Sequence, residues 1–306
     1  MTGTILITGG AGFVGSHLVE RLVADGQPVH VVDDLSRGSA DWLPDGVRLE
    51  VVDVRDAHGL RRVVNQVRPE TVVHLAAMHF IPDVDGAPAM ARDVNVGGTR
   101  ALLDALTVSP PRRLLFASTA AVYPDRTGPI AETCAPAPLD VYGETKLEGE
   151  RRVEGFASAS TTVVLARIFN VIGRRETNAH VVPDLVGQLR GGSRSVKLGN
   201  LDSRRDYTDV RDMADALRRL LAVEGDGPAT FNVGSGRSVS VAELVRVCGE
   251  ILERTIDIEA DEQRRRRQDR AELVADAGLL RATTGWEPRW VLRQTLADLL
   301  TGPDAM

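Results

Sequence analysis

The sequence predicts a doubly wound parallel α/β sheet followed by a smaller α/β domain. Short β-branched runs alternate with amphipathic stretches through the first half of the chain. The strand-like runs are almost continuously apolar, which is typical of parallel strands buried on both faces. A glycine-rich turn, TGGAGFVGSHL (residues 8–18), follows the first of these runs. Right-handed crossovers between such strands produce a doubly wound fold.

The predicted elements follow one another in a regular order. Strands are predicted at 4–8, 28–33, 47–54, 71–77 and 113–119, and helices at 16–26, around 60–67 and at 96–106. After about residue 167 the rhythm changes to segments richer in glycine, arginine and short turns. We therefore predict a first domain at 1–167 and a smaller one at 168–306, with residues 207–235 returning to pack on the first.

Composition restricts the class of protein. A hydrophobic content of 43% in 306 residues suffices for a substantial core, and the net charge of −6 argues against nucleic acid or an anionic membrane as the main partner. No apolar stretch approaches the roughly 20 residues of a membrane-spanning helix, and the first residues do not resemble a signal peptide. Cys134 and Cys248 lack metal-type spacing. We expect free thiols in the cytoplasm and no metal site.

The glycine turn predicts a dinucleotide site. Gly9, Gly12 and Gly15 lie between a buried strand and an amphipathic helix, with Phe13 and Val14 in the same turn. Glycine permits the tight turn and lets a pyrophosphate approach the backbone, whose N–H groups and positive helix end hold the anion. The alternative is a glycine-rich turn without a ligand.

Asp33 at the end of the second strand strengthens this prediction. It follows Gly15 by 18 residues, where a carboxylate can accept hydrogen bonds from a ribose diol and repel a 2′-phosphate. NAD is therefore favoured over NADP, although Arg37 close by softens the preference. Asp34 and Ser36 belong to the same candidate segment. The alternative interpretation of Asp33 is an ordinary turn aspartate.

Tyr142 and Lys146 form a candidate catalytic pair within DVYGETKLEGE. Their spacing of four places both side chains on one face of a helix. A free phenol, with a pKa of about 10, is a poor base, but a lysine ammonium and a positive nicotinamide favour the phenolate. Ser118 and Thr119 end the strand FAST and supply hydroxyls for the reacting oxygen. An exposed helical pair is the alternative.

An ordered set of motifs spans nearly the whole chain. They are TGGAGFVGSHL, VVDDLSRGS, VVDVRD, VVHLAA, DVNVGGT, FASTAAVY, YGETK, ARIFNVIGR, RRDYTDVRD, FNVGSG and TTGWEP. With them the chain resembles the extended short-chain dehydrogenases/reductases, in the branch of nucleotide-sugar epimerases, dehydratases and reductases (UDP-galactose 4-epimerase type). The resemblance implies NAD as cofactor, a nucleotide-diphosphate sugar as substrate, and a homodimer formed through two helices per subunit.

The resemblance also implies individual roles. Tyr142 is the base, Thr119 holds the usual Ser/Thr position, Lys146 also binds the nicotinamide ribose, and Asn95 positions the Tyr142–Lys146 pair. Further cofactor contacts are expected at Asp53, Val54, Leu75, Ala76 and Ala77. Substrate contacts are expected at Asn170, His180, Val181, Arg205 and Arg266. For His180, a surface-loop histidine is an equal alternative.

His79 lies in a local departure from the family, AAMHFIPDVDGAP, where cofactor and sugar are expected to meet. It is a candidate substrate contact. A lone histidine is more often a packing or hydrogen-bonding residue, and this interpretation is favoured.

Ala120 and Ala121 bear on the reaction, because dehydratases of the family carry an Asp-Glu pair there. Dehydration is therefore not expected. We favour epimerisation at C4 through a transient 4-keto sugar. The alternative is an NAD(P)H-dependent reductase of nucleotide 4-keto sugars like GDP-4-keto-6-deoxymannose reductase, which GNLDSRRDYTDVRDMADAL resembles. A non-catalytic dinucleotide-binding protein is least favoured, since the tyrosine and the lysine are both present.

Overall fold

A parallel sheet organises the first part of the computed structural model, which describes residues 3–225, 227–261 and 270–302. Its seven strands are β1 (Ile5–Thr8), β2 (Val29–Asp33), β3 (Arg48–Val51), β4 (Thr71–His74), β5 (Arg113–Thr119), β6 (Thr162–Ile168) and β10 (Ala229–Val233). They are hydrogen-bonded in the order β3-β2-β1-β4-β5-β6-β10, every pair parallel. This order reverses direction between β1 and β4, as in a doubly wound dinucleotide-binding sheet. The predicted fold class is confirmed.

Helices cover both faces of this sheet. They are α1 (Phe13–Ala24), α2 (Ala57–Val67), α3 (Ile81–Gly86), α4 (Pro88–Arg92), α5 (Gly98–Leu106) and α6 (Val141–Glu154). Successive β1 residues enter different cores: Ile5 and Ile7 pack with α1, and Leu6 packs with α2 and α5. Because a strand alternates its side chains between faces, burial on both sides explains the uninterrupted apolar run in the sequence.

Two details of the helices bear on the site. The Asp140 carboxylate accepts a hydrogen bond from Gly143 N (2.7 Å) and so fixes the start of α6. Helix α4 continues into α5 through one π-helical turn, Asp93–Gly97. Such turns are rare and frequently occur at functional sites.

A second core lies beyond the main sheet. Strands β7 (Asn170–Ile172), β9 (Arg204–Asp209), β11 (Ser238–Ser240) and β13 (Glu272–Leu273) form a small sheet, and β8 (Ser195–Leu198) pairs with β12 (Asp257–Ala260). Helices α7 (Val181–Arg190), α9 (Val241–Ile251) and α11 (Leu292–Thr301) pack around it. Leu185, Leu244 and Leu296 are fully buried there.

The chain returns to the first core after leaving it. Strand β10 pairs with β6, and α8 (Val210–Leu220) packs against α1. Leu280, in α10 (Gly278–Thr284), and Trp286 are fully buried in that core as well. The predicted division into domains at residue 167 stays a prediction. Residues 207–235 were expected to return to the first domain, and residues 278–286 also pack on the main sheet. No helix among the described residues is both long enough and apolar enough to span a membrane.

Candidate active site

A large cleft opens at the carboxyl ends of β1, β4 and β5, between the main sheet and the second core. The glycine turn, Tyr142, Asn170 and Arg205 all line it. Its volume is about 1580 Å³, whereas a pocket for one small ligand measures roughly 300–1,000 Å³. The reversal of strand order beside β1 is where ligands bind in open α/β sheets. The cleft therefore has room for two ligands side by side.

The glycine turn forms a cradle of bare backbone. Gly9 has φ +73°, and a Cβ there would lie 2.6 Å from Ala76 N. A Cβ on Gly15 would lie 2.1 Å from Gly9 O. Gly12 is the N-cap of α1, and Phe13 and Val14 line the cleft with it. The positive end of α1 and a backbone without side chains fit the pyrophosphate of a dinucleotide.

Asp33 lies in the cleft wall and holds the turn at the same time. Its carboxylate accepts hydrogen bonds from Ala11 N (3.0 Å) and Leu35 N (2.9 Å). Burial raises the pKa of Asp33, partly offset by these two hydrogen bonds. The two interpretations offered by the sequence, turn aspartate and cofactor ligand, are thus compatible.

The residues after Asp33 have partners of their own. Asp34 accepts hydrogen bonds from Ser36 N (2.9 Å) and Ser36 Oγ (2.6 Å). The Arg37 guanidinium forms an ion pair with Asp83 of α3. Asp34, Ser36 and Arg37 all lie in the cleft wall. The ion pair with Asp83 offsets the positive charge by which Arg37 would favour a 2′-phosphate.

Most of the other predicted cofactor contacts reach the cleft, and two do not. The residues in its wall are Val54, Leu75, Ala76 and Ala77. Asp53 lies outside the lining and pairs with Arg55 (2.5 Å), which lowers the pKa of the Asp53 carboxyl. Asn95 is also outside the lining and is buried in the π-helical turn. Its Oδ1 accepts from Met78 N (2.7 Å) and its Nδ2 donates to Thr145 Oγ1 (2.9 Å), so it connects the loop after β4 to α6.

Tyr142 and Lys146 project from one face of α6 into the cleft. Burial raises the pKa of the Tyr142 phenol to about 12, against the opposing effect of its hydrogen bond with Thr119. Burial lowers the pKa of Lys146 to about 7, and the charge of Glu150 acts against this. Lys146 Nζ lies 4.1 Å from the ring centroid of Phe116. The expectation that a Lys146 ammonium and a positive nicotinamide together favour the phenolate stays a prediction.

Thr119 and Ser118 differ in their contacts. The Thr119 hydroxyl accepts a hydrogen bond from Ala121 N (3.2 Å) and lies close enough to the Tyr142 phenol to lower its pKa. Although Ser118 reaches the cleft wall, its hydroxyl donates to the buried Glu150 carboxylate. That carboxylate is also held by Arg167, through Nε (2.9 Å) and Nη2 (2.8 Å). This geometry does not support Ser118 as a second catalytic hydroxyl, because its hydrogen bond belongs to a buried ion-pair network.

The second core contributes polar groups to the far end of the cleft. Asn170 Oδ1 is buried there with no hydrogen-bond partner among the described residues. Arg205 Nη1 donates to the carbonyls of Arg204 (2.8 Å) and Arg270 (2.9 Å). His180 is the N-cap of α7, and Val181 begins that helix. All four predicted contacts line the cleft, and Arg266 lies outside the described residues.

Arg270 is a cleft residue that the sequence analysis missed. It is buried, and its Nη2 donates to the carbonyls of Ala121 (2.9 Å) and Tyr123 (3.1 Å). Its Nη1 lies 3.7 Å from the Asp140 carboxylate. The arginine-rich segment 264–270 was visible in the sequence, but no periodicity singled out this arginine.

His79 and His180, which the sequence analysis treated separately, meet in the cleft. Their ring centroids lie 6.2 Å apart. Asn178 Nδ2 donates to His79 Nε2 (3.2 Å) and to Glu176 Oε1 (3.1 Å). Glu176 and Asn178 line the same cleft, and no motif in the sequence pointed to them.

The tight turn after β5 carries no acid or base. Ala120, Ala121 and Val122 form one buried 3₁₀ turn directly after Thr119. The expectation that the chain is not a dehydratase rests on Ala120 and Ala121 and stays a prediction.

This fold and this site define a dinucleotide-dependent enzyme of the short-chain dehydrogenase/reductase class. A model of the NAD dependent epimerase/dehydratase family matches residues 5–234. The chain belongs to that family.

Comparison with known proteins narrows the class. The chain is 34% identical to UDP-glucose 4-epimerase of Streptomyces lividans, over 100% of this chain and 95% of that one. The structure of the Thermus thermophilus UDP-glucose 4-epimerase complexed with NAD has a TM-score of 0.88 at 29% identity, covering 96% of both chains. That of the Thermotoga maritima UDP-glucose 4-epimerase with UDP-glucose has a TM-score of 0.88 at 30% identity, covering 98% and 97%. The predicted family, the NAD cofactor and the class of NAD-dependent nucleotide-sugar epimerase are confirmed.

Proposed function

We propose that this chain is a UDP-hexose 4-epimerase that interconverts UDP-glucose and UDP-galactose with bound NAD. The observation that carries the proposal is the juxtaposition, in one cleft, of a backbone cradle for a dinucleotide and the Thr119–Tyr142–Lys146 cluster. The volume of the cleft allows a second, similarly large ligand. Similarity along the full length to UDP-glucose 4-epimerases supports the choice of base and sugar.

The chain's own residues divide the work of the reaction. NAD, when bound, supplies the hydride acceptor and, in its oxidised form, a positive charge that favours the Tyr142 phenolate. Tyr142 takes the proton of the sugar 4-hydroxyl, and the Thr119 hydroxyl holds the reacting oxygen in place. Lys146, in its protonated ammonium form, stabilises the Tyr142 phenolate. Asn95 donates a hydrogen bond to Thr145, the residue before Lys146, and so holds the turn of α6 that carries Tyr142 and Lys146.

The substrate needs an anchor that survives the reaction, because epimerisation requires the sugar to present its other face. Asn170, Arg205 and the start of α7 at His180 and Val181 surround the far end of the cleft. We assign them to the nucleotide diphosphate, so that the sugar turns while the diphosphate stays bound.

Asp33 separates this function from that of an NADPH-dependent reductase. Its carboxylate faces the cleft, where a 2′-phosphate would meet repulsion. The Asp33 carboxylate and the ion pair of Arg37 both favour NAD over NADPH. They therefore support an epimerase, which regenerates its NAD in each turnover, over a reductase that consumes NADPH.

The direct test supplies UDP-galactose to the purified protein without added cofactor. We expect conversion to an equilibrium mixture with UDP-glucose, followed by NMR, and NAD released from the protein on denaturation. Net reduction of a 4-keto sugar with stoichiometric loss of NADH or NADPH would contradict the proposal. So would turnover of GDP-, dTDP- or CDP-sugars without turnover of UDP-hexoses.

We further propose a homodimer in the cytoplasm. The dimer rests on the family resemblance, and light scattering after gel filtration tests it by the mass of the eluted protein. The location rests on Cys134 and Cys248, which are free thiols and are typical of a reducing compartment. A monomer at micromolar concentration would contradict the proposed dimer. Secretion from the source cell would contradict the proposed location.

A further inference from the structure

A cluster of potential metal ligands lies in the cleft beside the catalytic residues. His79 comes from the loop after β4, whereas Glu176 and His180 come from the segment that leads into α7. One ligand atom from each lies within 4.8 Å of the others. All three side chains are half-buried. The cluster thus connects the two cores across the opening of the cleft.

The ring of His79 is oriented as that of a metal ligand. Its Nε2 accepts a hydrogen bond from Asn178 Nδ2 (3.2 Å), so the ring proton resides on Nδ1. The backbone of Ala77 also interacts with this ring. Ligating histidines almost always donate their second ring N–H to a carbonyl, a carboxylate or water.

Asn178 provides an independent sign of a missing partner. The residue is 4% exposed, and its Oδ1 is buried without a hydrogen-bond partner among the described residues. Its Nδ2 donates to both His79 Nε2 and Glu176 Oε1. The two N–H bonds of one amide group thus point at the lone pairs of an imidazole and a carboxylate, and a bound cation would take the place of this amide donor.

We propose that His79, Glu176 and His180 bind a divalent transition-metal ion of the Zn²⁺ class. Two imidazoles and one carboxylate are a known ligand set for Zn²⁺ that leaves a coordination position open. Neighbouring ligands of a tetrahedral ion lie about 3.3 Å apart, given ligand distances of 2.0–2.1 Å. The side chains must therefore approach one another by up to about 1.5 Å, a small rotation for half-buried groups.

The position of the cluster gives the ion a role at the substrate. Zn²⁺ with one carboxylate and two neutral rings carries a net charge of +1, which attracts an anionic ligand. Phe80 packs its edge on the His180 ring at 5.1 Å between centroids and fixes its plane. An ion here holds the loop after β4 to the start of α7 and offers its open position to an oxygen atom in the cleft.

Metal binding is tested without turnover, on the protein with its copurified NAD in every arm. After treatment with a chelator, the protein is titrated with Zn²⁺ by calorimetry and with Co²⁺ by visible absorption. We expect one ion per chain, with Co²⁺ bands typical of four or five ligands. Because NAD is the same in all arms, its phosphates cannot account for a difference between variants.

The variants His79→Ala, His180→Ala and Glu176→Gln should weaken Zn²⁺ binding by at least 10–100-fold, the loss that outer-shell partners alone produce in order of magnitude. His58→Gln, an exposed histidine on α2, is the matched control and should bind as the wild type does. An unchanged circular dichroism spectrum and retained NAD establish that each variant is folded. If a histidine variant does not fold, Glu176→Gln, whose side chain is nearly identical in shape to glutamate, still tests the proposal. Equal binding by all variants, or none by the wild type, overturns the proposal whatever the enzyme's activity.

Discussion

At the scale of single residues, one physical effect shifts the pKa values of the two proposed catalytic groups in opposite directions. Burial disfavours charge, so it raises the pKa of Tyr142 to about 12 and lowers that of Lys146 to about 7. The protein's own groups thus leave the proton on Tyr142 and bring Lys146 to its titration range near neutrality. The proposed base catalysis by the phenol therefore depends on positive charge that a bound ligand brings into the cleft.

Replacing Tyr142 with Phe tests the base directly. We expect kcat for UDP-galactose to fall by roughly 10²–10⁴-fold, the usual contribution of a general base, while NAD remains bound. Tyr123→Phe is the control: its hydroxyl donates to Asn232 (2.7 Å) outside the cleft. That variant should lose stability but retain kcat. Full activity of Tyr142→Phe would point to a binding protein or a different base.

The neighbouring hydroxyls Thr119 and Ser118 should respond differently to removal. Thr119→Ala should lower kcat by roughly 10²-fold, as expected for one hydrogen-bond donor lost at a reacting oxygen. Ser118→Ala should leave kcat nearly unchanged and cost about 1–3 kcal/mol of stability, because Glu150 loses a buried donor. Steady-state kinetics and urea unfolding of both variants measure this. The opposite pattern would restore Ser118 as the catalytic hydroxyl.

The pKa of Lys146 also predicts a pH dependence of stability. The unfolded chain holds the lysine proton up to a pKa of 10.5, whereas the folded protein releases it near 7. More protons are therefore bound in the unfolded state between these values, so stability rises with pH. Relative to Lys146→Met, the free energy of unfolding should increase by up to about 4 kcal/mol from pH 7 to 10, at about 1.4 kcal/mol per unit. Urea unfolding curves that run parallel for both proteins would contradict this.

At the scale of elements, the site is assembled from strand ends and helix starts. The glycine turn joins β1 to α1, the Asp140 cap starts α6 in front of Tyr142, and the π-helical turn places Asn95 between the loop after β4 and α6. The glycine turn depends on close approach of backbone atoms, and the other two depend on side-chain hydrogen bonds of Asp140 and Asn95. Small changes in these turns should therefore affect ligand binding as much as stability.

Gly15→Ala tests the closest approach. Its Cβ would lie 2.1 Å from Gly9 O, so the turn must open, at a cost of about 1–3 kcal/mol. We also expect weaker NAD binding, measured by isothermal titration calorimetry. Gly187→Ala in α7, where a Cβ meets nothing within 4 Å, should instead stabilise by about 0.5–1 kcal/mol. Equal effects of the two substitutions would refute the argument from backbone contact.

At the scale of the whole molecule, the chain leaves the main sheet and returns to it. Strand β10, α8 and Trp286 belong to the first core, although the second core interrupts them in sequence. Arg270 reaches back from this later part of the chain to the turn after β5. The cleft is therefore held on both sides by segments that fold into one structure.

Arg270→Met should uncouple these segments. Two backbone carbonyls lose a charged donor, so we expect a loss of about 2–3 kcal/mol in stability together with a lower kcat, because the turn beside Thr119 is no longer held. Arg237→Met, on an exposed loop, should stay within about 0.5 kcal/mol of the wild type. Thermal unfolding and initial rates measure both. If Arg270→Met behaves like the control, Arg270 does not hold this turn.

The sequence by itself determined the features that repeat over short distances: the apolar strands and their helices, the glycine turn, and the spacing of Tyr142 and Lys146. These follow from local backbone geometry, which a few neighbouring residues decide. The family resemblance already gave Thr119 the reacting position, but only the tertiary structure showed that the Ser118 hydroxyl donates to the buried Glu150 carboxylate. Adjacent strand residues point to opposite faces, and periodicity does not say what each face meets. The tertiary structure alone brought Arg270 to the turn after β5 and His79 to Glu176 and His180, because contacts between distant segments depend on how the two cores pack.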